Sequence, residues 1–472
     1  MVRTDVTILG GGPVGSLLGI LLRDMGLEVV IVERDATPYM LPRAIVMDDE
    51  VQRILVDHGM GPWLKKNTSR LQRADFVGLD DQEFIGADIP PTGPQGVPPV
   101  VVHYQPELDA MLRAELLDRG ATLRYGRTVT DLTDHPDRVA TVLDDGEEIE
   151  SRWFVGCDGA SSWTRKKSGL TLEDLQFDQE WIVVDIDLNE DSPAQLPVGV
   201  RQYCLSHRPC TYVQGHNRNR RWEFQVQPGE DTQSLDTTEG LWSLLSPWVA
   251  PKDATLVRSA VYRFHAVVAP RMHIGNVYLA GDSAHQTPPF AGQGLNSGMR
   301  DALNLAWKMC LVHRGLAHQN LLDQYSTERV PHVRSSVAHA VDMGRLIDQL
   351  AGRTSHGVGL DSGYGGTRPA PHIEAGVVYG DHPRVGHLSK FHPATSAAAI
   401  ANGASFTVVT SDRRELPEAY QSFFNNVDAS ELLDDAYAIV LRPDRYIAAV
   451  AKNQNELQQA LRHISTCLAD SN

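Results

Sequence analysis

The sequence predicts an α/β fold interrupted by a β-rich lobe, and three observations carry that prediction. The chain opens with a strand–helix–strand unit. DVTILG (5–10) is a buried-strand run, PVGSLLGILLRDMG (13–26) has helical periodicity, and EVVIVE (28–33) is a second β-branched run. From about 171 to 270 the pattern changes to short strands. There Trp222, Phe224 and Val226 alternate with Glu223, Gln225 and Gln227, as in a sheet with two unlike faces. NVYLAG (276–281) then returns to buried strand, and long helical patterns follow over 293–313 and 321–350.

The remaining elements follow in order. Arg43 to His58 reads as helix, DIPPTGPQGVPP (88–99) as loop, and PELDAMLRAELLDRG (106–120) as a helix stopped by glycine. Short strands are expected around 122–126, 139–143 and 152–157. The stretch 352–369 is a Gly-rich linker, and the tail alternates strand runs with a last helix ending near 468. The expected division is a discontinuous nucleotide domain (1–170 with 271–350), a β-rich domain (171–270), a linker (351–374) and a C-terminal region (375–472).

Composition narrows the function. With 472 residues the chain can bury a large core, and its net charge of −17 argues against nucleic-acid binding. Five scattered cysteines with no CxxC pair read as reduced thiols of a cytoplasmic protein. They also rule out a redox cysteine pair. The apolar stretch from Val6 to Leu22 is broken by glycines, so it reads as neither signal peptide nor membrane span. The histidines have no metal-ligand spacing, so no metal is expected.

Gly10-x-Gly12-x-x-Gly15 lies between strand and helix. Gly10 permits the tight turn, Gly12 a close approach to a pyrophosphate, and Gly15 close packing of helix on sheet. Pro13 and Val14 complete the turn, and free N–H groups at the positive helix end suit the pyrophosphate. Glu33, ending the second strand, can accept from a ribose. The triplet alone fits FAD or NAD. The loop GDSAHQTPPFAGQGLN (281–296) decides between them. Asp282 could hold a polyol hydroxyl, Pro288 and Pro289 fix the chain, and Gly292 and Gly294 bring a helix N-terminus close to a negatively charged group. A reduced flavin is such a group, so FAD is the expected cofactor.

These motifs, with GCDGASSWTRKKSG (156–169), resemble the three fingerprints of FAD-dependent aromatic hydroxylases of the p-hydroxybenzoate hydroxylase superfamily. The 3-(3-hydroxyphenyl)propionate hydroxylase branch is the most similar, through PRAIVMDDE (42–50), YQPELDAML (104–112) and ERVPHVR (328–334). The resemblance covers about residues 4–345. It implies a Rossmann-type FAD-binding domain, an inserted β-rich substrate domain and a short thioredoxin-like C-terminal region. Cys467 is the only cysteine in that last region, so thioredoxin redox chemistry is not expected there.

The resemblance also implies site roles. Glu33 and Arg34 lie at the adenosine ribose, Arg43 and Gln105 at the flavin side chain or phosphates, and Val129 beside the adenine. Asp158 serves both FAD and NAD(P)H, although the family's arginine after Asp-Gly-Ala is Ser161 here. Asp282 holds the ribityl chain. Pro289, Gly292, Gly294, Leu295 and Asn296 face the flavin, and Pro288 and Phe290 border the substrate. The implied reaction uses NAD(P)H and O₂ to hydroxylate a phenolic or related small aromatic substrate through a flavin C4a-hydroperoxide. The protein would deprotonate or polarise the phenol. Candidates for that task are His265, Tyr262 and Tyr203, with Gln225 lining the pocket. For each, the competing reading is ordinary packing.

Two alternatives remain open at this stage. One is a natural-product tailoring monooxygenase that epoxidises or performs Baeyer–Villiger insertion. The other is a flavin-binding reductase without monooxygenation. No Trp-x-Trp-x-Ile-Pro motif supports a halogenase. A homodimer is compatible with the reading, and no membrane partner is expected.

Overall fold

The computed structural model describes residues 1–78, 81–352, 371–400, 404–411, 416 and 420–469. Most of the expected linker, 351–374, lies outside the described residues.

The opening unit forms where its periodicity places it. Strand Val2–Leu9 runs parallel to Val29–Glu33 on one side and to Glu148–Gly156 on the other. Between the first two lies helix Pro13–Asp24, whose inward face buries Leu17, Leu18, Leu21 and Leu22. The sheet order is His273–Ile274, Val277–Leu279, Glu148–Gly156, Val2–Leu9, Val29–Glu33, Thr122–Tyr125. Thr122–Tyr125 is parallel to Val29–Glu33 and Val277–Leu279 to Glu148–Gly156, whereas His273–Ile274 pairs antiparallel at the edge. Strands Val129–Asp134 and Val139–Leu143 branch off this path. The parallel strands read as near-continuous apolar runs because both of their faces are covered.

The expected helix over 43–58 begins later. Val46–Asp48 is a strand paired with Val100–His103, and the helix is Asp49–Asp57. Asp48 caps it, accepting from the Val51 amide at 3.1 Å. A capping aspartate forces the extended backbone that ends the strand.

The second sheet is centred on two long antiparallel strands, Glu173–Leu188 and Ala254–Val268. Asn219–Gln225, Cys210–Gln214 and Val200–Tyr203 extend it. The sheet is not confined to 171–270. Arg73–Val77 and Glu83–Asp88 complete one edge, and His285–Gln286 of the third fingerprint pairs with Val268 and Val267 at the other. The fingerprint loop is thereby fixed to both sheets.

The C-terminal region carries a four-stranded sheet in the order Phe424–Asp428, Phe406–Thr410, Ala438–Leu441, Ile447–Ala451. The first pair is parallel and the others antiparallel, with helix Gln454–Ala469 following. This is the thioredoxin-like order. The region is held to the long helices by buried charges. Glu328 Oε2 accepts from Lys308 Nζ at 2.5 Å and from Arg442 Nη2 at 2.7 Å. Arg442 also donates to Asp444, which accepts from Trp307 Nε1 at 3.0 Å. No described helix is long and apolar enough to cross a membrane.

Candidate flavin and substrate site

Two helices start at glycines and aim unfilled N-termini at one cleft. The first follows the Gly10–Gly15 turn. Gly10 has φ +110°, and a Cβ there would lie 2.3 Å from the Cys157 carbonyl oxygen, so only glycine fits. A Cβ on Gly15 would lie 2.1 Å from the Gly10 carbonyl oxygen. At Gly12 the same atom meets nothing within 4 Å, so this backbone borders open space. Gly12 caps the helix without any side-chain hydrogen bond, and the first-turn amides are left for a ligand. Val14 packs inward, against Gly281 and Gly298, and joins this turn to the third fingerprint.

The second helix, Gln293–His313, begins after Gly292 at φ +61°, again with no side-chain cap. A Cβ on Gly292 would strike Val46 Cγ2 at 2.0 Å, whereas one on Gly294 meets nothing within 4 Å. Asn296 fixes the turn: its Nδ2 donates to the Gly292 carbonyl at 2.6 Å, and its Oδ1 accepts from the Asp48 amide at 3.1 Å. Leu295 and Pro289 are half-buried beside it and Pro288 is buried.

The polar candidates are arranged as follows. Glu33 accepts from the Gly11 amide at 2.8 Å and the Asp35 amide at 2.9 Å. A carboxylate has about four acceptor sites, so it keeps capacity for a ribose. Arg34 is exposed, 3.8 Å from Asp35. Gln105 accepts from the Ala44 amide at 2.6 Å and so holds the segment carrying Arg43, whose exposed guanidinium lies 4.2 Å over the Tyr39 ring. Asp109, beside Gln105, has its carboxyl pushed up to about 6 by burial. Asp282 reaches the cleft and accepts no hydrogen bond from the described residues. Protein surrounds it closely enough to raise its pKa, against the pull of His285 and Arg43.

Other candidates have structural work. Val129 is buried in the apolar cluster with Leu9, Val32 and Phe154. Asp158 accepts from Ser162 Oγ at 2.6 Å and the Thr164 amide at 2.8 Å, which shapes the second fingerprint. Arg165 is buried, bonding the Ser283 carbonyl at 2.7 Å and the Ala160 carbonyl at 2.9 Å. It therefore ties two fingerprints together.

Strand register sorts the remaining candidates by face. In a sheet, directly paired residues share a face and neighbours along a strand alternate. Trp181 pairs with both Gln225 and Tyr262, Val183 with Glu223, and Asp185 with Arg221 and Arg258. All of these lie on one face, with Phe264. Phe290, from the fingerprint loop, packs on that face: its ring centroid is 5.3 Å from Trp181 and 6.0 Å from Phe264. The structure thus brings Tyr262, Gln225 and Phe290 to one side, with Pro288 two residues before Phe290 in the same loop. His265 and Tyr203 do not join them. His265 pairs with Asp178 on the opposite face and is exposed. Tyr203 is buried on that opposite face with Phe224 and Trp222, accepting from Trp248 Nε1 at 3.1 Å.

Sequence reasoning missed the charges on the Phe290 side of this sheet. Arg221 forks onto Asp185, at 2.8 Å and 3.0 Å, and reaches the Arg43 carbonyl at 2.5 Å. Arg258 bonds the Pro42 carbonyl at 2.6 Å and the Tyr262 hydroxyl. Glu223 lies between Arg221 and Gln225. A second network holds the fingerprint loop. Asp301 accepts from the Gly281 amide at 3.1 Å and Arg329 Nε at 2.7 Å, and its other close partner is His285 Nε2 at 2.7 Å. Burial acts to raise Asp301, but Arg329 and His285 outweigh it and hold the carboxyl below its usual range. The run Arg220–Gln227 did carry a signal: charged and amide side chains at strict alternation in a strand can mark a second buried face as well as a wet one.

The cleft fits a flavin dinucleotide: two uncapped helix ends bordering open space, a ribose-ready acid and an unengaged carboxylate. A family model described as FAD binding domain matches residues 3–340, and the chain belongs to that family. Among curated relatives, a probable NADH-specific resorcinol 4-hydroxylase of Rhodococcus jostii (strain RHA1) is 36% identical over 349 residues, 72% of this chain and 65% of that protein. A 3-(3-hydroxy-phenyl)propionate/3-hydroxycinnamic acid hydroxylase of Shigella sonnei (strain Ss046) is 35% identical over 73% of this chain and 62% of that protein. The chain therefore spans less than two thirds of the length of these relatives. By structure it resembles the flavin-dependent monooxygenase PieE (TM-score 0.80, 18% identity, 99% of both chains). The OxyS anhydrotetracycline hydroxylase of Streptomyces rimosus is also similar (TM-score 0.78, 23% identity, 98% of this chain and 99% of that one). At these identities the likeness concerns the fold.

Proposed function

We propose that this protein is an FAD-dependent monooxygenase that uses NAD(P)H and O₂ to hydroxylate a phenolic or related small aromatic substrate. The observation that carries the reading is the juxtaposition at the third fingerprint. One loop starts the Gln293–His313 helix at the cleft and also places Phe290 on the aromatic face of Trp181 and Phe264. A bound FAD would supply electron transfer from NAD(P)H and the activation of O₂.

The chain's own contributions are binding, orientation and exclusion of water. The amides after Gly12 and Gly292 meet negative charge, Glu33 takes the ribose, and Asp282 takes ribityl hydroxyls. Arg43 and Gln105 shape the side of the cleft. The aromatic face keeps water from the reacting ring. Residues 1–170 with 271–350 would act as the nucleotide unit and 171–270 as the core of the substrate unit. Five free thiols fit a cytoplasmic setting.

The test is NADH and NADPH oxidation with parallel O₂ uptake by the FAD-loaded protein, with and without resorcinol. The reading expects stimulated oxidation and a product heavier by one oxygen. No flavin retention, or no stimulation by any phenol, contradicts it. A second reading, tailoring of a larger polycyclic substrate, draws on the end-to-end fold match to PieE and OxyS. The product's NMR spectrum separates the two.

A further inference from the structure

We propose that Glu223 takes the phenolic proton of the substrate, and that this substrate is an uncharged phenol rather than a phenolic acid. The proposal rests on the hydroxylase reading above. Register places Glu223 on the Phe290 side of the second sheet, opposite Val183. It is bracketed on its own strand. Two residues one way, Arg221 holds the Arg43 carbonyl at 2.5 Å, at the wall of the cleft. Two residues the other way, Gln225 pairs with Trp181, whose ring meets Phe290 at 5.3 Å. Glu223 is thus placed between cofactor wall and aromatic cluster, where a hydroxyl-bearing ring would lie.

Glu223 is 7% exposed as a residue, and its carboxylate accepts no hydrogen bond from the described residues. Its one ion-pair neighbour among them is Arg221 Nη1 at 4.0 Å, and that guanidinium is already forked onto Asp185. A carboxylate left this way, at a mostly buried position, keeps acceptor capacity for a ligand donor. The other charged or titratable groups facing this side are Asp185, Arg258, Tyr262 and His103. His103 is fully buried, and burial pushes its pKa down to about 3, so it is neutral at ordinary pH. Burial raises the Glu223 carboxyl, Arg221 lowers it and Asp185 raises it again, leaving it above its ordinary value and so a stronger proton acceptor than a free carboxylate.

In the step, the phenol O–H bond breaks and the proton goes to a Glu223 carboxylate oxygen. The electron pair stays on the phenol oxygen and enriches the ortho and para ring carbons. No oxidant is consumed. The same geometry sets substrate charge. Both guanidiniums on this face are engaged, Arg221 by Asp185 and Arg258 by the Pro42 carbonyl and Tyr262. A substrate carboxylate here would meet Glu223 and no unengaged cation among the described residues.

The experiment follows NADH oxidation and O₂ uptake against pH for the FAD-loaded wild type, Glu223→Gln and Glu223→Asp, with resorcinol and with 3-(3-hydroxyphenyl)propionate. FAD titration of each variant checks folding. Glu223→Gln is expected to lower kcat with resorcinol about 100-fold at pH 7, with KM changed less than about threefold. The loss should shrink as pH approaches about 10, where a phenol ionises unaided. Glu223→Asp should restore about a tenth of the wild-type rate, and it carries the test if the glutamine variant does not hold FAD. Resorcinol should exceed the propionate in kcat/KM by about 100-fold or more. A Glu223→Gln rate within threefold of wild type with an unchanged pH profile overturns the proposal, as does equal use of the propionate. A wild type stimulated by neither phenol overturns the hydroxylase reading itself.

Discussion

The nucleotide end and the substrate face of this molecule solve the same problem, holding a polar group away from bulk water, by opposite means. The nucleotide end uses backbone. Gly12 and Gly294 border open space, and both helix starts lack side-chain caps. The substrate face and the C-terminal joint use buried charged side chains: Arg221–Asp185, and Glu328 with Lys308 and Arg442. Backbone recognition tolerates side-chain change but no added Cβ. Side-chain recognition tolerates backbone neighbours but no lost partner.

The largest effect should come from breaking a buried charge group. Glu328→Gln leaves Lys308 and Arg442 without their shared negative charge, and stability is expected to fall by about 3–5 kcal/mol, read by urea unfolding. The joint should also be acid-sensitive. Burial acts to raise the Glu328 carboxyl, but Arg442 and Lys308 outweigh it and hold it at about 2, below its ordinary value of 4.5. A depressed folded pKa means the unfolded chain binds the proton first, so this stability is complete above about pH 4.5 and is lost as pH falls toward 2. The loss is about 3 kcal/mol, and Glu328→Gln should remove that slope from a melting-temperature profile.

Next in size is Gly10→Ala. Its Cβ would meet the Cys157 carbonyl at 2.3 Å with φ at +110°, so both folding yield and FAD retention should drop. Glu33→Ala should weaken FAD about tenfold in a fluorescence titration while the protein stays folded, the scale of one or two hydrogen bonds. The smallest effects sharpen the contrast between the sheet's two faces. His265→Ala and Tyr203→Phe lie on the side away from Phe290. Steady-state turnover with resorcinol should stay within about threefold of wild type, and a larger loss would mean the face assignment is wrong.

The same contrast explains what could be read in the sequence. The Gly10–Gly15 turn, Glu33 and the 281–296 loop were legible because their chemistry is local: a glycine at fixed spacing from a strand and a helix has few alternative explanations. The opening parallel strands follow from runs such as EVVIVE, whereas the thioredoxin-like order of the tail is implied only by the family resemblance. The substrate face was not legible, because it is assembled by pairing across distance: Asp185 with Arg221 and Arg258, Trp181 with Gln225 and Tyr262. The alternation of Glu223 and Gln225 with Trp222 and Phe224 predicts two unlike faces but does not say what covers either. Both faces are buried, one apolar and one carrying Arg221, Glu223 and Gln225. His265 looked reactive for the same reason, since strand parity cannot be fixed without the register. Strands Val129–Asp134 and Phe424–Asp428 were missed because polar residues interrupt their apolar runs.

The central claim, that two glycine-started helix ends hold one FAD, is tested most directly by titrating FAD into Gly12→Ala and Gly294→Ala with melting temperature measured alongside. Each added Cβ enters space that the chain itself leaves open, so folding should be unaffected. FAD affinity should fall about tenfold or more in both variants. Unchanged affinity in both, with melting temperatures at the wild-type value, would contradict the account.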